Sequence, residues 1–187
     1  MRINRHSLIL GILYCLPLLT PVAARAQEIS VEYATSHVNN GTYLVDVRLK
    51  LRLNDEIINA LHHGVSLNID VNMEVRRERK WIWNKLIKKV ILHFRLQHHP
   101  LSDDFVVTNL DSGAREQFHM LDEALDYIGA INNYPLIDKT RLSGHNSYIG
   151  LVSAELNIEN LPPPLQPSTF ISSRWHLESQ WYEWVFR

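Results

Sequence analysis

The sequence predicts a mainly β fold, a single antiparallel β-sandwich or half-open barrel carrying two short helices. Three observations lead there. Apolar residues recur at every second position in several segments of strand length, and only two short segments show capped helical spacing. Turn residues separate the strands at short intervals, which excludes an alternating β/α arrangement with long crossover helices.

The chain of 187 residues opens with Arg2 and Arg5, followed by an apolar run over 8–19 that is too short for a stable bilayer span. Ala24-Arg25-Ala26 then offers small residues where a signal peptidase reads, and Pro17 and Pro21 oppose retention of the run as an anchor. A signal peptide over 1–26 and one β-rich domain over 27–187 are therefore expected, the latter outside the cytoplasm. Cys15 is not a lipidation site, because Leu13 and Tyr14 stand where a lipoprotein signal needs small residues. It leaves with the signal, so no disulfide is available in the oxidising compartment. Loss of Arg2, Arg5 and Arg25 leaves 16 Lys and Arg against 20 Asp and Glu, a formal charge of −4. A domain of about 150 residues buries close to 70% of its unfolded surface, so the remaining length suffices for a core.

Thr42 to Leu53 alternates, with Tyr43, Val45, Val47, Leu49, Leu51 and Leu53 on one face and mostly polar residues on the other, as in a strand with one wet face. Asn54 is placed to cap a short helix whose first turn holds Asp55 and Glu56. Ile57, Ile58 and Leu61 form its apolar stripe, and Gly64 closes it in a left-handed conformation. Val65 to Arg76 repeats the alternation, with Ser66, Asn68, Asp70, Asn72 and Glu74 on the polar face. Trp83, Leu86, Ile87 and Val90 fit helical spacing, whereas Val90, Leu92, Phe94 and Leu96 fit a strand leading to His98. The segment is read as helix or irregular turn, then strand. On that reading Trp83 is a core residue and Trp81 lies exposed beside Lys80.

Pro100 and the cluster Leu101-Ser102-Asp103-Asp104 mark a turn, Phe105 to Leu110 a strand, Asp111-Ser112-Gly113 a hairpin connection and Glu116 to His119 its return. Leu121 to Gly129 is the second helix, with Leu121, Ala124, Leu125 and Ile128 inward and Gly129 as its stop. Strands over Ile131–Ile137 and Ser147–Ile158 follow, then a rigid proline crossover over Leu161–Pro167 and an aromatic closing strand over Trp175–Phe186. This makes about seven strands at short spacing. An outer-membrane barrel is disfavoured, because two helices interrupt the strands and Arg48, Lys50 and Arg52 occupy an outward face. Trp175, Trp181, Tyr182, Trp184 and Phe186 are accordingly expected in the core.

One local feature points to binding. Arg76, Arg77, Arg79, Lys80, Lys85, Lys88 and Lys89 meet only Glu78, with Trp81 and Trp83 among them, in a chain whose net charge is otherwise negative. Cations neutralise phosphates and indoles settle at headgroup depth or stack on flat ligands, so Arg76, Arg77, Lys80 and Trp81 are the candidate binding residues. The alternative is a solubilising strand end whose tryptophans pack inward. Export makes nucleic acid an improbable partner, and leaves an envelope protein or anionic envelope lipid as the expected one.

No other feature reaches that level. The histidine pairs His62-His63 and His98-His99 lack metal-ligand spacing: neighbours on a strand point to opposite faces, and a helix end favours imidazolium without a metal. No nucleophile elbow, phosphate loop or dinucleotide fingerprint occurs, and no thiol nucleophile remains after export. Asp103-Asp104 sits in a turn beside Ser102, where bonding to backbone is the commoner purpose. Neither a metal nor a cofactor is expected. The reading is a non-enzymatic exported accessory or binding domain, with an enzyme acting on a cell-envelope polymer as the alternative.

A series of short segments in fixed order supports a resemblance: Gly64-Val65-Ser66-Leu67, Arg76-Arg77 with Trp81 and Trp83, Arg95-Leu96 with His99-Pro100-Leu101, Leu121-Asp122-Glu123-Ala124-Leu125, Leu161-Pro162-Pro163-Pro164-Leu165-Gln166, and Trp175-x-Leu177-x-Ser179-x-Trp181. The set resembles a proteobacterial family of exported domains of unknown function, often labelled proline-rich signal peptide proteins. His98 departs from it, standing where that family's pattern has Tyr. The resemblance implies a Gram-negative periplasm and, through gene neighbourhoods, a link to envelope sensing with a membrane sensor kinase as partner. It implies no reaction.

Overall fold

The computed structural model describes residues 29–144, 146–157 and 175–186. The signal segment with its cleavage site and the proline run over Leu161–Pro167 lie outside the described residues. Two antiparallel sheets face each other in a sandwich-like arrangement, and neither closes into a barrel.

The smaller sheet begins with a hairpin. Strand β1 (Ile29–Asn39) and β2 (Thr42–Leu51) are joined by Asn40 and Gly41, whose φ values of 47° and 79° are those a tight hairpin turn demands and Asn-Gly adopts at least cost. Strand β7 (Ala130–Asp138) pairs with the other side of β2. The larger sheet has the order β6-β5-β4-β3-β8-β9, formed by β3 (Leu67–Arg77), β4 (Lys85–His99), β5 (Asp104–Asn109), β6 (Arg115–Phe118), β8 (Tyr148–Asn157) and β9 (Tyr182–Val185). Val45, Val47 and Leu49 of β2 share one apolar cluster with Leu67, Ile69, Val71, Met73 and Val75 of β3 and with Leu92, Phe94 and Leu96 of β4.

The helices follow the local signals. Helix α1 (Asp55–His62) starts where Asn54 Oδ1 accepts the Ile57 N–H at 3.1 Å, buries Ile57 and Leu61, and is followed by Gly64 at φ 87°. Helix α2 (Leu121–Gly129) buries Ala124, Leu125 and Ile128. Gly129 ends it for a tertiary reason as well, because a Cβ there would lie 2.5 Å from the Leu49 carbonyl oxygen of β2.

Four expectations are corrected. Strand β1 was not anticipated, and the described residues hold nine strands where about seven were expected. The helical alternative for the segment after Trp83 fails, since Lys85–His99 is one continuous strand. Its apparent helical spacing comes from a bulge: Val75 pairs with Lys88 and Arg76 with Leu86, leaving Ile87 as the extra residue. Ile87 and Val90 both pack on the core, and an inserted residue turns a spacing of two into one of three. The closing strand is short; residues 175–181 hold only an isolated bridge at Glu178 before β9. Trp175 and Trp184 are core residues as expected, but Trp181 is 43% exposed.

The fourth concerns the polar face of β3, which is not open to solvent. Asn68, Asp70, Asn72 and Glu74 are each only 6–7% exposed. Because β3 is flanked by β4 and β8, its short polar side chains lie beneath longer neighbours and bond to them. Asp70 Oδ1 meets His93 Nδ1 at 2.8 Å and Asp70 Oδ2 accepts from Asn157 Nδ2 at 2.7 Å. Asn72 donates to Glu155 at 3.1 Å, Arg95 Nε donates to Asn68 at 3.2 Å, and Arg76 Nε donates to Glu74 at 2.7 Å. A buried polar row of this kind is tolerated only when its members find partners.

Candidate binding surface at the β3–β4 tip

Register between β3 and β4 runs from Leu67 opposite Leu96 to Arg77 opposite Lys85, and residues 78–84 form the connecting loop. Two bonds fix the loop: the Glu78 N–H donates to the Ser147 carbonyl at 3.0 Å and the Arg79 N–H donates to Asn84 Oδ1 at 3.3 Å. Strand β8 begins at Tyr148, opposite Arg77, so no neighbouring strand flanks the sequence beyond. Lacking a surface to pack on, Trp81, Ile82 and Trp83 are 91%, 61% and 94% exposed. Trp83 is thus not a core residue, contrary to the expectation built on the apparent helical stripe.

The four candidate residues share this end of the hairpin but differ in circumstance. Lys80 and Trp81 stand in the loop, open to solvent. Arg77 is half-buried on β3, opposite Lys85 and Tyr148. Arg76 is also half-buried, and its guanidinium is committed to Glu74 within the polar row, which makes it a poor ligand for an outside anion. Ile82, Trp83 and Arg79 complete the surface and were absent from the candidate set. Their signal was available, for they occupy the centre of the cationic stretch between two alternating segments.

Arg79, Lys80, Trp81, Ile82, Trp83 and Asn84 line an open depression of about 590 Å³. The Nε–H of Arg79 is shut off from solvent and finds no acceptor in the protein. Among the described residues no ion pair engages Arg77, Arg79, Lys80, Lys85 or Lys88, although Glu78 is near in sequence. Such a surface supplies positive charge, N–H donors and two indole faces. Glu78 is the acid nearest to it in sequence.

The histidines are placed otherwise. His98 points inward, 8% exposed, with Nε2 2.9 Å from Asp103 Oδ1 and its ring 4.5 Å from His62 and 5.0 Å from Phe105, while His99 is exposed on the opposite face. His63 Nδ1 lies 2.7 Å from the Asn59 carbonyl at the end of α1. Asp104 meets His119 and Gln117, each at 2.6 Å, and hydrogen bonding, chiefly with Ser102, holds its carboxyl below the usual carboxylate range despite burial. Among the described residues no group of three His, Cys, Asp or Glu side chains converges as a metal site.

The family model described as "Domain of unknown function (DUF4390)" matches residues 26–185, which takes in every described element. The chain belongs to this family. No curated protein and no solved structure matches it. The DUF4390 match therefore brings a shared fold and no assigned reaction. At the β3–β4 tip of this chain, exposed Trp81, Ile82 and Trp83 lie beside cations that make no ion pair among the described residues.

Proposed function

We propose that this DUF4390 protein is an exported, non-enzymatic accessory domain of the Gram-negative envelope that attaches to an anionic envelope component through the β3–β4 tip. One observation carries the reading: three consecutive large apolar residues, Trp81, Ile82 and Trp83, stand in solvent on a loop held at its base and ringed by cations. Exposing two indoles has no benefit to folding, whereas an aromatic anchor among positive charges is what recognition of anionic surfaces uses. The N-terminal signal supports the compartment, and a membrane sensor kinase is the kind of partner the family resemblance suggests.

A second reading, an enzyme acting on a cell-envelope polymer, would draw on the His–Asp pairs His93–Asp70, His98–Asp103 and His119–Asp104. It is the weaker one, because their described partners include no activated nucleophile and no second carboxylate poised across a cleft. Cell fractionation tests the proposal. The wild-type protein should be processed near Gln27 and partition with the envelope, and Lys80→Glu/Lys85→Glu should release it to the soluble periplasmic fraction. An unprocessed cytoplasmic protein, or a variant that stays with the envelope as fully as wild type, would overturn it.

A further inference from the structure

Resting on that reading, we propose that the anionic component is the phospholipid bilayer itself: Trp81, Ile82 and Trp83 enter the interface while Arg79, Lys80 and Lys85 engage headgroup phosphates. Trp81, Ile82 and Trp83 are consecutive at the middle of the loop, with Arg79 and Lys80 immediately before them and Arg77, Lys85 and Lys88 on the strands behind. That order from tip to base, apolar and indole first and ammonium or guanidinium behind, matches the order met on entering a membrane surface from its boundary region outward. Arg79 adds a specific element. Its side chain lines the depression and makes no ion pair among the described residues, so its guanidinium is free to pair with a phosphate there.

A protein partner fits this surface less well. Stable protein interfaces bury about 800 Å² on each side, and a seven-residue loop projecting alone offers a peg rather than a patch of that extent. A bilayer accepts a peg, since it needs no complementary pocket. The charge argument agrees, because cations near an anionic membrane each raise partitioning about fivefold. The cations without an ion pair at the tip together supply a large factor to a chain whose net charge would otherwise repel it.

The test uses the chain from Gln27, which retains every described element, with vesicles of phosphatidylglycerol and phosphatidylethanolamine or of phosphatidylcholine alone. The protein should sediment with the anionic vesicles at least about tenfold more strongly than with the zwitterionic ones. Lys80→Glu/Lys85→Glu should remove that preference, and Trp81→Ala/Trp83→Ala should abolish fluorescence quenching by brominated lipid, while Lys50→Glu on the smaller sheet changes neither. Circular dichroism and melting of each variant separate lost binding from lost folding. Wild-type protein that ignores anionic vesicles would overturn the lipid assignment. If the same tip variants still leave the envelope fraction in cells, attachment through the tip stands and its target is a protein. Binding that survives both double substitutions, or that inorganic phosphate fully displaces at constant ionic strength without any lipid quenching, also overturns the proposal.

Discussion

Replacing Trp83 and Trp184 by alanine, one at a time, discriminates sharply between the surface and the core of this fold. Trp184 is 6% exposed, stacks on Phe186 at 5.9 Å and covers the Gly150 backbone across the β8–β9 pair. Truncating a buried tryptophan costs about 3–5 kcal/mol. The lower half of that range applies here, because Trp184 Nε1 has no hydrogen-bond partner and its removal also relieves an unsatisfied buried donor. At about 2–4 °C per kcal/mol for a domain of this size, Trp184→Ala should lower Tm by roughly 6–16 °C. Trp83, 94% exposed, has almost no burial to lose, so its replacement should stay within about 0.5 kcal/mol, or roughly 2 °C. Thermal melts followed by circular dichroism, repeated in urea to compare midpoints at constant slope, measure both. A Trp83→Ala variant as unstable as Trp184→Ala would refute the placement of the tip and return Trp83 to the core.

Gly150→Ala should cost about 1–3 kcal/mol, because the added Cβ would collide with the Trp184 ring. Combined with Trp184→Ala, most of that cost should vanish, and simple additivity would refute the contact. Asp104 gives a signed pH effect: its carboxyl is depressed by hydrogen bonds, so its contribution is present above the unfolded-state value and is lost as pH falls through the lower folded value. Asp104→Asn should therefore flatten the acid limb of a Tm-versus-pH curve from the ordinary aspartate range downward, and an unchanged limb would sink the assignment. Neither EDTA nor a thiol reductant should lower the Tm of the chain from Gln27, which contains no cysteine; a fall of many degrees with chelator would revive a metal role for the histidines.

The parts of the fold that rest on local chemistry were legible from sequence. Both helices lie where apolar spacing puts them, and at α1 the caps agree, with Asn54 bonded to the Ile57 N–H and Gly64 in the left-handed region. The turn around Asp111-Ser112-Gly113 likewise has Gly113 at φ 75°. β1 was equally readable and was missed, since Ile29 and Val31 precede an Asn-Gly turn, the strongest short hairpin signal. β4 was not readable with the same rules. Its bulge opposite Val75 and Arg76 exists only because another strand is there to be out of step with, and it shifted the apolar spacing into a false helical pattern.

For the candidate site, sequence alone determined the composition: a run of cations with two tryptophans between two alternating segments. Only tertiary structure decided what each residue is free to do. Arg76 is held by Glu74 because β3 lies between two strands and forces its polar face into a bonded row, whereas Trp81 and Trp83 face solvent because β8 begins only at Tyr148, opposite Arg77. Burial depends on which neighbours arrive from elsewhere in the chain, and a periodicity read within one segment carries no record of where those neighbours end.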